Sequence, residues 1–347
     1  MTTVIAWVVV FGVLVAVHEA GHFTMAKVLG MRVEEFSLGF GPAFIKRRIG
    51  ETVYAGRMIP LGGYVRLPGM EGTPSKDPRD FPNRPLWQRF TVIFAGPVMN
   101  LLLAAILYAF VFGPIGVPAP TTTVAQTLPH YPAYSAGIRA GDRIVAIDNV
   151  PVRTWSALDH TIRQHAHSTM AITVMRHGRR QTFHVRPRWD ATQKAYIVGI
   201  QPAPSPTQLV HKPPLQALWA GIRQTVVLSA MWFMALVHLV NGTSSFDLTG
   251  PVGIAVMVGR AVHRGLASLV LLSAALSANL GLFNVLPVPV LDGSRLVLLA
   301  VEGVRRRAMS PDRENMIHFV GMLVLLVFVV FVTYHDIVHY FHVRSIF

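Results

Sequence analysis

The sequence contains no cysteine. Disulfides and thiolate chemistry are therefore excluded, and any metal must be held by histidine and carboxylate side chains. Charge is also scarce: Asp, Glu, Lys and Arg make up 14% of the 347 residues, against 52% hydrophobic. That balance is too apolar for a soluble two-domain protein and indicates a membrane protein with some water-exposed mass. Acidic residues are the scarcer sign, 17 against 31 basic, which leaves a net charge of +14 at pH 7. In so apolar a chain the excess reads as attraction to the anionic headgroups of a lipid bilayer. No nucleic-acid partner is expected, because no recognition motif accompanies the charge.

Long apolar sequence is plentiful. Val4–Val28, Phe90–Phe112, Ala267–Leu286 and Ile317–Tyr334 each read as a membrane span of about 20 residues, and Val226–Val240 is a shorter, ambiguous window. The first window opens MTTVIAW, with no basic segment ahead of it and no small-residue cleavage site behind it, so it is expected to be retained. The loop between the first two windows is basic and includes the run Lys46, Arg47, Arg48, which places it on the cytoplasmic side and the N-terminus outside. Within it, ETVYAGRMIPLGGYVRLPG alternates β-formers with Gly and Pro and predicts a hairpin. From Pro118 to about Pro213 the composition turns polar, with short β-like runs between turn signals and Pro-rich flanks, as for one small inserted domain.

The first apolar window carries the chemistry. His18 and His22 stand four apart in VHEAGH, so on a helix both imidazoles leave the same face and can grip one Zn²⁺. Glu19 lies beside them, placed to take a proton from a water on the metal. Three polar groups in a spanning helix cost free energy and by default mark function. The spacing recurs in HDIVH, His335 to His339, but beyond the last window, where an interfacial cluster is the simpler reading. A catalytic zinc wants a third protein ligand. NVLPVPVLDGSRL, Asn284 to Leu296, supplies the best candidate: Pro287 and Pro289 break the helix and let Asp292 turn inward.

HEAGH in the first span and NVLPVPVLDG in a late one together resemble the site-2 protease family of intramembrane zinc metalloproteases, in the arrangement of the bacterial regulator-of-sigma-E protease type. The resemblance covers nearly the whole chain. It implies zinc on His18, His22 and Asp292, with Glu19 as catalytic base. Asn284 would hold the substrate backbone. GGYVRL, with Gly62, Gly63 and Tyr64, would form a membrane-associated hairpin edge that pairs with unwound substrate. GFGP, Gly39 to Pro42, matches a family loop that is either functional or a structural turn, and AGPVMN, Ala95 to Asn100, matches a packing motif, with Asn100 left as a neighbour of the ligands. SAGIRAGDRIVAIDNVPVRTWSAL, from Ser135, resembles a bacterial PDZ domain, which binds an extended peptide or chain terminus.

The expected fold is thus a polytopic α-helical membrane protein with four transmembrane helices, a membrane-associated β-hairpin and an inserted PDZ-like α+β domain. Its parts would be 1–117, 118–213 and 214–347. The expected function is cleavage of single-span membrane proteins within their transmembrane segment, as for anti-sigma factors or remnant signal peptides. The location would be a bacterial inner membrane, with the PDZ-like domain outside and the active site towards the cytoplasm. A non-catalytic adaptor that holds partners through the PDZ-like domain is the alternative, and an intact Glu19 argues against it. Because Asp292 must reach the depth of His18 and His22, Val226–Val240 is expected not to span. It would lie along the outer interface or pack against the bundle, with Trp219 and Trp232 at headgroup level.

Overall fold

The computed structural model describes residues 2–70, 76–191, 195–241, 250–306 and 311–344. The chain forms two compact units, 1–115 together with 212–347, and 116–211.

The larger unit begins with α1 (Thr2–Val28), followed by β1 (Glu35–Ile49) and β2 (Thr52–Arg66), then α2 (Leu86–Phe110), which ends in a π turn over Val111–Ile115. The hairpin is folded twice. Glu35 stands opposite both Val53 and Arg66, and Leu38 opposite both Gly56 and Gly63, so 35–38 lie between two stretches of β2 and leave 63–66 as an edge. An ion pair ties it: Arg57 Nη2 donates to Glu35 Oε1 at 2.5 Å, and Tyr64 donates to the same oxygen at 2.8 Å. Burial pushes the Glu35 carboxyl up, but the bonds from Arg57 and Tyr64 outweigh it and hold the group below its usual range. GFGP lies inside β1, where a Cβ on Gly39, at φ 90°, would meet the Arg57 carbonyl oxygen at 3.0 Å. Its place is the doubled turn of the hairpin.

The smaller unit runs β3 (Val117–Thr127), α3 (Pro132–Ser135), β4 (Arg143–Ile147), β5 (Val150–Pro151), α4 (Trp155–Gln164), β6 (Met170–Arg176), β7 (Arg179–Val185), β8 (Arg188–Asp190), β9 (Ala195–Ile197) and β10 (Ile200–Val210). Its main sheet has the order β10-β3-β4-β6-β7, with β5 on β4, and its core packs Ile144, Ile147, Leu158, Ile172 and Val174. Asp142, 1% exposed, takes two 2.7 Å bonds from Arg176 and one of 2.8 Å from the Arg139 backbone. Burial raises its carboxyl, yet Arg176 and the Arg139 N–H bring it below the ordinary carboxylate range. A depressed folded-state pKa stabilises above the unfolded value and ceases to do so as pH falls through the folded one. Hydrogen exchange across 116–211 in the full-length protein should therefore accelerate as pH is lowered below about 4, after correction for intrinsic rates. Asp142→Asn should remove that pH dependence and cost about 3 kcal/mol at neutral pH.

The chain returns to the larger unit as α5 (Pro214–Val240), α6 (Pro251–Arg264), α7 (Leu266–Val285), α8 (Asp292–Arg305) and α9 (Pro311–Arg344). Among the described residues five helices are long and apolar enough to cross a membrane: Thr2–Val28, Leu86–Ile115, Pro214–His238, Leu266–Val285 and Met316–Val338. Four were expected, and α5 is the fifth by length and composition. The window Val226–Val240 is only the second half of α5, because Gln216, Arg223 and Gln224 masked the first half in the sequence. Helix α5 packs against the bundle, the second of the two placements expected for it. A Cβ on Gly221 would overlap the Ala105 carbonyl and meet Ala109 N at 2.8 Å, and the Trp232 ring packs 6.2 Å from that of Phe283.

Helix α7 also packs on α2 through small residues, as helices in lipid do. Ser277 donates to the Asn100 carbonyl at 2.8 Å, and a Cβ on Gly281 would meet the Pro97 carbonyl oxygen at 2.8 Å. Both α5 and α7 thus run antiparallel to α2. Asp336 of the HDIVH segment, 4% exposed, accepts from the Gly250 and Gly253 backbone N–H groups at 3.1 and 2.8 Å. It caps α6, while the His339 side chain lies outside the described residues.

Candidate active site

Helical spacing puts His18 and His22 on one face of α1, where both are 8% exposed. The antiparallel packing of α2 sets what each ring meets. His22 Nδ1 lies 2.9 Å from the Val92 carbonyl, so that nitrogen carries the proton and Nε2 keeps its lone pair. His18 Nδ1 lies 3.2 Å from the amide nitrogen of Asn100, whose amide oxygen is buried without a partner. Exchanging the two amide atoms gives the His18 N–H an acceptor and frees its Nε2 in the same way. Asn100 therefore orients His18.

The two Nε2 atoms are 3.2 Å apart, and Asp292 Oδ2 stands 3.0 Å from that of His18 and 3.3 Å from that of His22. This carboxylate oxygen is buried with no hydrogen-bond partner. Zn²⁺ at about 2.0–2.1 Å from tetrahedral ligands places those ligands about 3.3 Å from one another. Three lone-pair atoms converging at that separation fit a zinc ion, and among the described residues this is the one His and carboxylate group with such geometry.

The turn that delivers Asp292 is shaped by its sequence. Helix α7 ends at Val285 ahead of Pro287 and Pro289, and Val290 adopts φ 80°, a conformation costly for a β-branched residue. A Cβ on Gly293 would overlap the carbonyl oxygens of Val285 and Leu286, so glycine alone fits behind the aspartate.

Glu19, Asn284, Gly62, Gly63 and Tyr64 line one cavity of about 370 Å³ with the two histidines and Asp292. A Cβ on Gly63 would come within 3.1 Å of Glu19 Cγ, so the hairpin edge touches the carboxylate stem directly. Asn284 is 9% exposed. Sequence reading assigned Gly96 to packing, and its role is more specific: a Cβ there would overlap His22 Nε2 and meet His18 Cε1 at 2.9 Å. Arg66 and Arg295 also line the cavity and were not anticipated. Arg295 could have been read from its place one turn after Asp292. Nothing local marks Arg66.

The model of peptidase family M50 matches residues 6–329. The chain belongs to peptidase family M50. The M50 chain is 33% identical to a protein of Clostridium acetobutylicum over 334 residues, 96% of each chain. It is 28% identical to the zinc metalloprotease RasP of Geobacillus kaustophilus over 424 residues, 98% of this chain and 99% of that one. It is 29% identical to the RasP of Bacillus licheniformis over 419 residues, with 97% and 99% covered. A solution structure of GtR34C from Geobacillus thermodenitrificans matches 22% of this M50 chain and 90% of that one at 24% identity, with a TM-score of 0.20, too low to bear on the fold.

Proposed function

We propose that this cleft hydrolyses a peptide bond inside the transmembrane segment of a single-span membrane protein, with His18, His22 and Asp292 holding zinc and Glu19 as the base. The protein is an intramembrane zinc metalloprotease of the site-2 type. The observation that carries the residue roles is the convergence of the two Nε2 atoms and Asp292 Oδ2 at zinc-ligand separations beside Glu19.

Zinc bound there supplies the Lewis acidity that polarises a carbonyl and brings a water's pKa towards neutrality. Glu19 accepts the proton of the attacking water and passes it to the leaving amine. Asn284 is placed in the same cavity to donate to the oxygen on which charge develops. A helical substrate must unwind before any group reaches its carbonyl, because its backbone bonds are all internal. The edge 63–66 offers such a stretch a new partner: its backbone pairs with 35–38 on one side, and Gly62, Gly63 and Tyr64 line the cavity. Glycine at 63 lets the added strand lie close to Glu19.

The hairpin exposes Phe44, Ile45 and Met58 beside Lys46, Arg47 and Arg48, which suits an interface with apolar lipid below and anionic headgroups above. The basic run supports an orientation with this end of the bundle, and the zinc site, towards the cytoplasm of a bacterial inner membrane. The 116–211 unit, attached at the opposite end of α2, then lies outside. There it serves as a PDZ-like filter that holds an extended peptide or chain terminus. Since α5 and α7 run the same way, α5 does not alter the side from which α7 starts.

The test is zinc removal. A single-span test protein in vesicles should be cut by the purified enzyme, spared after chelation, and cut again when zinc is restored. Cleavage that survives complete loss of zinc would contradict the assignment.

A further inference from the structure

Helix α8 carries Asp292 in its first turn and Glu302 near its end. Positions 292, 296, 299 and 302 follow helical spacing and share a face. Leu296 and Leu299 on that face are buried with Val92 and Ile93 of α2. The opposing face of α2 carries Arg89, then Val92 and Ile93, then Gly96 against the imidazoles, then Asn100. The two helices therefore meet along matched stripes, with an apolar middle and the zinc site at one end. The other end is ionic: Arg89 Nη1 donates to Glu302 Oε2 at 3.1 Å and Nη2 to Oε1 at 2.5 Å, with the side chains 12% and 20% exposed.

Apolar contacts such as those of Leu296 and Leu299 tolerate small slides and rotations. A guanidinium fork on a carboxylate does not, since both parallel bonds fail together. Ten residues at 1.5 Å rise place the pair about 15 Å along the helix from the zinc ligand, far enough to fix the helix's direction as well as its rotation. Asp292 must be brought within 3.3 Å of two ring nitrogens that do not attract it by packing. Holding α8 in register beforehand lowers the ordering cost of closing the site.

We propose that the Arg89–Glu302 pair is a positioning device for the metal centre: it sets the register of α8 on α2 and thereby the reach of Asp292. This rests on the assignment of His18, His22 and Asp292 as zinc ligands. That assignment has its own control, because wild-type protein should bind zinc and Asp292→Ala should bind it far more weakly, whatever the pair does.

The test uses the full chain in detergent, with zinc affinity read by chelator competition and ligand geometry by the visible spectrum of Co²⁺ in the same site. The variant R89Q/E302Q removes the fork without leaving a lone partly buried charge, so it is the one expected to remain folded. Its zinc affinity should fall about tenfold, the scale at which groups that orient ligands act, and its Co²⁺ bands should shift. The exchanged pair R89E/E302R should recover most of the affinity and the wild-type spectrum. Wild-type affinity and spectrum in R89Q/E302Q would overturn the proposal. So would an exchanged pair that binds no better than the neutral one, since packing alone would then account for the loss.

Discussion

Glu19→Gln is expected to lower turnover of a single-span substrate about a thousandfold, within the range that a positioned base contributes, while bound zinc stays at the wild-type level. Glutamine keeps the shape of the side chain and its packing against Gly63, where the hairpin edge approaches Cγ. What it loses is the capacity to take a proton. The three candidate ligand atoms belong to His18, His22 and Asp292, so the metal should not respond. Parallel measurement of zinc by elemental analysis and of fragments by gel checks both halves. Loss of zinc together with activity would make Glu19 a ligand or a structural support instead of the base.

Gly96→Ala is expected to do the reverse, weakening zinc binding with the base intact. A single methyl group there would occupy the space of His22 Nε2 and crowd His18 Cε1. Overpacking of this kind costs about 1–3 kcal/mol, which against zinc is a loss of about 10- to 100-fold in affinity. Chelator competition should show the site impaired. Unchanged zinc affinity in this variant would mean that the imidazoles are not held against Gly96.

The parts of this architecture visible in the sequence are those fixed by short-range geometry. His18 and His22 share a face because a helix turns every 3.6 residues, and Asp292 is marked by the two prolines that break the helix ahead of it. Gly96 escapes such reading. Its importance depends on the register of α2 against α1, which places it opposite two rings more than seventy residues earlier. The doubled pairing of 35–38 escapes for a similar reason, since a strand between two stretches of its own hairpin has the same alternation as one in a simple hairpin. The full length of helix α5 escaped because hydropathy is averaged along a window, and the depth required of Asp292 was met most simply with no crossing there. Gln216, Arg223 and Gln224 lower that average, whereas Gly221, which lets the helix lie on α2, adds nothing to it. Arg89 and Glu302 stand 213 positions apart, and no local signal couples them.

The central claim is that hydrolysis takes place within a substrate's membrane-spanning segment, at a centre built into the enzyme's own apolar helices. Intact-mass measurement of both fragments from a single-span substrate, cut in lipid vesicles by the zinc-loaded enzyme, tests it most directly. Two masses are expected that sum to the substrate plus one water, with the new termini inside the apolar segment and neither fragment produced by the Glu19→Gln variant. New termini only in the water-exposed flanks, or the same fragments from Glu19→Gln, would contradict it.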